Sequence, residues 1–322
     1  MSMKTIAVLT SGGDAPGMNA AVRAVAQTAL SNGMTVYGIK GGYKGLVEDD
    51  MELLDVNRVS DVIRWGGTFL LSSRYPQFAE DAVQKQAVAV CKKRGIEGVV
   101  VIGGDGSFRG AKALSEQGIP CIGIPGTIDN DIVCTDYTIG YDTCLNTILD
   151  MVDRMQDTIA SHSRCIVVEV MGRDAGWLAL NSAIAVGATA VIVPEIPHDI
   201  DRDIITRVQK AKDAGKTHFV VVVSEGIGGV EAIAKRIEAE TGVESRAVVL
   251  AHVQRGGSPT VQDRVAASRM GNHAVKLLMQ GTGNRVVVMQ KNEVLDLDIH
   301  EGLAMTKSID KALYELAYEV SL

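Results

Sequence analysis

Two carboxylates stand two residues apart in Thr127-Ile128-Asp129-Asn130-Asp131, directly after an apolar run. If the chain stays extended there, both face one side. One could then take a proton from a hydroxyl while the other helps hold a metal ion or water; the alternative is an Asx turn made by Asp129-Asn130. A carboxylate base suits phosphoryl transfer, where positioning and charge neutralisation do most of the work. A third carboxylate, Asp105, lies inside Gly103-Gly104-Asp105-Gly106-Ser107. In a loop that cradles phosphate it would repel the anion unless a cation bridges them, and Mg²⁺ is the natural bridge. The competing reading makes Asp105 the cap of a helix beginning at Ser107.

Groups suited to anions are also present. Arg74, Arg164, Arg173, Arg246 and Arg255, with His252, are candidate anion contacts, because a guanidinium fork fits phosphate. Arg173 and Arg255 stand out, since each sits in a glycine-bearing loop. Glu225 only accepts hydrogen bonds and suits sugar hydroxyls.

These residues share a setting. Thr10–Asn19, Gly103–Ser107, Pro125–Asp131, Met171–Arg173, Ser224–Gly226 and His252–Gly257 each follow an apolar, β-branched run. All six therefore fall at carboxyl ends of expected strands, the edge where open α/β sheets bind ligands. The first two resemble phosphate cradles: glycines allow close backbone approach, and the helix that follows offers amides and a positive dipole end. Neither is G-x-x-x-x-G-K-[ST], nor the G-x-G-x-x-G of dinucleotide folds.

The elements that must position the loops follow. Strands are expected at Thr5–Leu9, Thr35–Ile39, Gly98–Ile102, Cys121–Ile124, Cys165–Val170, Ala190–Val193, His218–Val223, Ala247–Leu250 and Arg285–Met289. Most are continuously apolar, as strands of a parallel sheet covered on both faces are. Met18, Ala21, Val22, Val25, Ala26, Ala29 and Leu30 form one helical stripe. Leu145, Ile148, Leu149, Val152, Met155 and Ile159 form another. Alternating strand and helix gives an α/β chain, and nine strands suggest two sheets, with one boundary near residues 135–145 and a chain that crosses more than once.

Composition sets the outer limits. At 322 residues two domains are expected, and 46% hydrophobic with 22% charged residues excludes disorder as the main state. A net charge of −7 and only 13 aromatic residues argue against nucleic-acid binding. Five scattered cysteines without a C-x-x-C pair suggest neither zinc nor a redox motif and fit a reducing cytoplasm. Met1-Ser2-Met3-Lys4 does not read as the start of a signal peptide. The apolar tract Trp177–Val193, interrupted by Asn181, Ser182 and Thr189, reads as a buried helix and strand rather than a membrane span.

The glycine and aspartate blocks together resemble the bacterial ATP-dependent 6-phosphofructokinase family, in order and across essentially the whole chain. The resemblance implies two Rossmann-like three-layer α/β/α domains with mainly parallel sheets. Residues 1–140 plus about 254–303 would bind ATP. Residues 141–253 plus about 304–322 would bind fructose 6-phosphate, with a cleft between the two domains. It implies a cytoplasmic homotetramer with active sites shared between subunits, and Mg²⁺ with ATP as co-substrate. By motif, Asp129 is the base for the sugar's 1-hydroxyl, and Arg173 and Thr127 steady the phosphoryl group in transit. Asp105 holds Mg²⁺, supported by Asp131. Gly13, Tyr43, Arg74, Gly104, Gly106 and Ser107 meet ATP. Met171, Gly172, Glu225, His252 and Arg255 meet the sugar phosphate, while Arg164 and Arg246 reach in from a neighbouring subunit.

The pyrophosphate-dependent branch of the family typically carries Asp in place of Gly106 and Lys in place of Gly126, so glycine at both points to ATP. Arg23, Asp61 and Lys216 match an effector-binding cluster. Gln27, Gln156 and Ala214 stand where basic residues are usual there, and Thr189 where an acidic one is. Weakened effector control is expected unless Lys40, Lys44 or Arg58 compensates. Trp177, where regulated relatives usually carry Asp, is a second departure.

Overall fold

Runs of Val, Ile and Ala with no polar alternation cannot leave one face in water. In the computed structural model, which describes residues 3–321, they form the middles of two sheets. Met1 and Ser2, part of the N-terminal stretch read above, and Leu322 lie outside the described residues.

The chain opens with β1 (Thr5–Thr10), α1 (Met18–Ser31), β2 (Thr35–Ile39), α2 (Tyr43–Glu48), β3 (Met51–Leu53) and α3 (Val56–Val59). Then come α4 (Asp81–Arg94), β4 (Gly98–Gly103), α5 (Asp105–Glu116) and β5 (Cys121–Pro125). The long helix α6 (Tyr141–His162) leads to β6 (Cys165–Val170), α7 (Trp177–Ala185), β7 (Ala190–Ile192), α8 (Thr206–Asp213), β8 (Phe219–Ser224), α9 (Val230–Thr241) and β9 (Ser245–Val249). It ends with α10 (Val261–Met279), β10 (Arg285–Gln290), β11 (Glu293–Asp298), α11 (Ile299–Ala304) and α12 (Lys311–Glu319).

These elements divide into two compact units. One holds the described residues up to 128 with 132–143 and 255–307; the other holds 129–131, 144–254 and the described residues from 308 on. The first unit's sheet has the order β11-β10-β5-β4-β1-β2-β3. Its inner strands are parallel, in registers such as Val8↔Val100 and Val101↔Gly123. The chain moves outward from β1 to β2 and β3, then resumes on the other side at β4. The crevice at that reversal lies at the carboxyl ends of β1 and β4, the position an open α/β sheet offers a ligand. The second unit's sheet, β7-β8-β6-β9, is wholly parallel, with Val167 paired to Val221 on one side and Ala247 on the other.

The middle strands of each sheet are buried on both faces. Ile6, Val8, Val100 and Val101 are fully buried in the first, as are Val167, Val168, Val221 and Val222 in the second. Each such side chain contributes roughly 1.5–3 kcal/mol relative to exposure. The expected stripe of α1 is buried from Met18 through Ala29, and Ile148, Val152 and Ile159 of α6 are buried likewise. Gly17 caps α1 in the left-handed region (φ 99°), and a β-carbon there would come within 2.7 Å of Ile139. Only glycine starts this helix so close to its neighbour.

All nine expected strands form, within a residue or two. Two more, β3 and β11, were not anticipated, and both are antiparallel edges. β3 has three residues, and β11, Glu-Val-Leu-Asp-Leu-Asp, is half acidic and lies outside the apolar pattern.

Candidate active site

In the first unit the loops after β1, β2, β4 and β5 emerge side by side. Side chains and amides lock them together. Ser11 N–H bonds Ile102 O at 2.9 Å, and Ser107 Oγ donates to Ser11 O at 3.2 Å. A β-carbon on Gly103 would lie 2.4 Å from Ser107 Oγ and 2.5 Å from Ser11 O, so this glycine lets the two cradles nest. Ser107 is buried, and its hydroxyl is spent on this junction. Tyr43 is buried too. It stacks on Phe78 and donates its phenol to Ser107 O at 2.5 Å, and burial pushes its pKa well above the ordinary value. Among the residues matched to ATP contacts, these two brace the cradle from behind.

Its open surface is glycine. Gly104 caps α5, and Asp105 is the first helical residue rather than the cap. A β-carbon on Gly104 or Gly106 would meet nothing within 4 Å. The segment that carries Arg74 is strapped to the same loops. Buried Asn19 donates to Trp65 O and Gly66 O and accepts from Phe69 N–H. Ser72 Oγ donates to Gly12 O. Arg74 itself is exposed, with no ion pair among the described residues. Arg255, matched to the sugar phosphate, lies over the first cradle: its Nη1 donates to Asp14 O at 3.1 Å and fills the space a side chain on Gly13 would need.

Among the described residues no cluster of three His, Cys, Asp or Glu side chains could hold a metal by itself. Asp105, half-exposed between two glycines with open flanks, fits an ion that takes one or two carboxylates and finds its remaining ligands among phosphate oxygens and water, as Mg²⁺ does.

Beyond β5, Thr127 is held by its amide on Ile139 O and by Thr138 Oγ1, which donates to its carbonyl. Asp129 and Asn130 are 2% and 3% exposed, and Asn130 adopts φ 50°, so the loop turns sharply rather than staying extended. Asp131 is partly exposed.

In the second unit the loops after β6, β8 and β9 meet at the carboxyl edge. Buried Gln254 accepts from Met171 N–H at 3.0 Å and donates to Ala251 O, tying the β9 loop to the β6 loop. Glu225 Oε1 accepts from the amides of Gly172 and Arg173. Arg173 and His252 are exposed.

Arg164 and Arg246 are elsewhere. They lie at the amino ends of β6 and β9, where Arg164 Nε bonds Glu244 Oε2 at 2.8 Å and Arg246 Nη2 bonds the other oxygen. The Arg164 guanidinium holds the Glu244 carboxyl below its ordinary pKa. Strand β6 separates them from the Met171–Arg173 loop by about 20 Å at 3.3 Å per residue.

The residues matched to an effector site are partly engaged. Lys216 Nζ donates to Ser321 O near the end of the chain, and burial lowers its pKa. Gln156 donates to Val186 O, and the hydroxyl of buried Thr189 has no partner among the described residues. Arg23 is half-buried and Asp61 exposed. Arg58 and Lys40 pair with Glu52, and Lys44 with Glu48. Trp177 opens α7, directly after the 171–176 loop.

Sequence reasoning assigned nothing to Asn19, Glu244, Gln254 or Asp263. Asp263 is fully buried and accepts from Gly140 N–H at 2.7 Å, Thr143 N–H at 2.9 Å and the hydroxyls of Tyr137 and Thr143. Burial pushes its pKa up, against these four bonds. Asn19 and Gln254 sat inside the motifs, but nothing in a single sequence separates a buried amide from a solvated one.

A family model described as phosphofructokinase matches residues 5–278. ATP-dependent 6-phosphofructokinases of Bacillus cytotoxicus and Bacillus cereus are each 52% identical over 320 residues, covering 99% of this chain and 100% of theirs. Among solved structures, Saccharomyces cerevisiae phosphofructokinase superposes with a TM-score of 0.88 at 33% identity, over 99% of this chain and 48% of that one. Pichia pastoris phosphofructokinase gives 0.89 at 34%, over 100% and 38%. The chain thus spans half or less of each yeast chain.

Proposed function

Because the chain belongs to the phosphofructokinase family, we propose that it transfers the γ-phosphoryl group of ATP to the 1-hydroxyl of fructose 6-phosphate, giving fructose 1,6-bisphosphate and ADP. The observation that carries this reading is end-to-end identity of 52% with ATP-dependent relatives, on a chain whose glycine cradle has open space at Gly104 and Gly106.

The first unit takes the nucleotide. Its cradle amides and the start of α5 favour phosphate, and Arg74 adds a guanidinium at the rim. Asp105, supported by Asp131, holds Mg²⁺, which neutralises charge on the phosphate oxygens when bound. The sugar phosphate is taken by Met171, Gly172, Glu225, His252 and Arg255. Asp129 accepts the proton of the 1-hydroxyl as that oxygen forms its bond to the γ-phosphorus. The bond from that phosphorus to the bridging oxygen breaks, and its electron pair leaves with ADP. Arg173 and Thr127 steady the phosphoryl group as it passes.

Arg164 and Arg246 sit at the wrong edge of their own sheet for this work. A neighbouring subunit's site is their destination, in a homotetramer with shared active sites. Effector control is weakened, because Gln27, Gln156 and Ala214 lack the charge usual at those places; Gln156 bonds Val186 O instead, and Lys216 bonds Ser321 O. Five buried cysteines accord with a reducing cytoplasm. No helix among the described residues is long and apolar enough to cross a membrane.

The test is a coupled assay that supplies ATP or pyrophosphate separately with fructose 6-phosphate. Turnover is expected with ATP; turnover with pyrophosphate alone defeats the donor assignment. Asp129→Ser should lower kcat by ~10²–10⁴ with little change in sugar-phosphate affinity, as loss of a general base does.

A further inference from the structure

Arg173 carries φ 56°, a left-handed conformation that a residue with a side chain rarely adopts. The residue before it, Gly172, has φ 140°, and a β-carbon there would strike Ala175 O at 2.3 Å. Such backbone persists only where its surroundings enforce it. Here one side chain supplies the enforcement. Glu225 Oε1 accepts from Arg173 N–H at 2.6 Å and from Gly172 N–H at 3.2 Å. Glu225 is itself fixed, because its own amide continues the strand ladder to Val170 O at 2.8 Å. On the other side Gly226 leaves the turn just enough room: a β-carbon there would lie 2.6 Å from Arg173 O, so a larger residue would displace it.

We propose that Glu225 is a positioning residue for Arg173: its carboxylate, with Gly226 behind, holds the 172–173 backbone in the conformation that presents the guanidinium to the phosphoryl group. This role goes beyond contact with sugar hydroxyls, since Oε1 is already spent on two amides and only Oε2 is left for a ligand. It rests on the reading of Arg173 as the group that steadies phosphoryl transfer. Displacing such a donor by about 1 Å costs of the order of 10²-fold in rate.

The experiment is steady-state kinetics of the full chain, varying fructose 6-phosphate at saturating MgATP, with circular dichroism and thermal melts to confirm folding. Gly226→Ala introduces no group able to bond a sugar hydroxyl, yet pushes on the Arg173 carbonyl. It should lower kcat at least ~10-fold while sugar-phosphate KM stays within about twofold. Glu225→Ala should lower kcat similarly, whatever it does to KM. Glu225→Gln, which keeps an acceptor oxygen, should recover much of that loss. Adding Glu225→Ala to Arg173→Ala should lower kcat no further than Arg173→Ala alone.

An unchanged kcat in Glu225→Ala with only KM raised, or losses that multiply in the double variant, overturns the proposal. Should Gly226→Ala not fold, the Glu225–Arg173 pair of variants decides it. If Arg173→Ala itself leaves kcat intact, the reading of Arg173 fails first, a result separable from failure of the positioning role.

Discussion

A glycine whose missing side chain would meet nothing has no reason in the packing to be glycine. Gly126 is crowded by Met18 and Ile102, at 3.1 and 3.2 Å from a β-carbon, and the core accounts for it. Gly106, one residue into α5, faces open space among the described residues, and the proposed nucleotide site gives it a reason that packing does not. The two demands can be set against each other. Gly106→Ala should stabilise the fold, by about 0.5–1 kcal/mol at most, because alanine loses less backbone entropy in a helix. The same change should raise KM for ATP, and Gly106→Asp should impair ATP use far more, since its carboxylate faces the phosphates. Thermal melts together with ATP saturation curves would check this. A variant that is more stable and uses ATP unchanged would place the nucleotide elsewhere.

Helix α6 begins with two amides that no turn of its own can satisfy, and the residue that satisfies them is 120 positions away. Asp263, in the first turn of α10, takes the N–H groups of Gly140 and Thr143 and the hydroxyl of Tyr137. Thr260, the cap of α10, bonds Asp142 in return. The two helix starts are thus stitched to each other, with a carboxylate at the positive end of each. Asp263→Ala would leave both amides buried without an acceptor, at ~1–3 kcal/mol apiece. The expected outcome is a marked fall in melting temperature; an unchanged melt would mean water replaces the carboxylate.

Nothing in the sequence announced this stitch. Apolar periodicity revealed the strands and the stripes of α1 and α6, because burial of a whole face is written locally. It could not reveal that Ser107 and Tyr43 face inward or that Asp263 is buried, because those facts depend on which loops adjoin; the turn at Asp129-Asn130 is one of the two readings that turn chemistry offered. The acidic edge strand β11 was missed for the opposite reason: it is held by Arg285 to Asp298 backbone pairing, with little apolar pattern to betray it.

At the scale of the molecule, the chain leaves each unit and returns, so neither unit is a continuous stretch of sequence. The glycine blocks read as candidate ligand loops one by one, but the returns expected near residues 254 and 304 have no local signature and rest on resemblance alone; the compact units change over after 254 and 307. The same holds for Arg164 and Arg246. As sequence they are two more arginines; as structure they share Glu244 at the amino edge of a sheet whose candidate site loops leave from the other edge. A parallel sheet does not let its amino-edge side chains serve its carboxyl-edge loops. If both arginines bind sugar phosphate, the site they serve is on another copy.

Complementation tests that. Arg246→Ala should raise the sugar-phosphate KM strongly, and Asp129→Ser should remove the base, so each homomeric variant works poorly. Coexpressed, the Arg246→Ala copies still offer intact Asp129 and the Asp129→Ser copies still offer intact Arg246, so some mixed sites carry neither defect. Activity at low fructose 6-phosphate should then exceed the sum of the two parents, and should appear only in the mixed oligomers. Simple addition of the parental activities would mean that the arginines serve their own chain, and that the separation along β6 has been bridged in a way the strand's length does not permit.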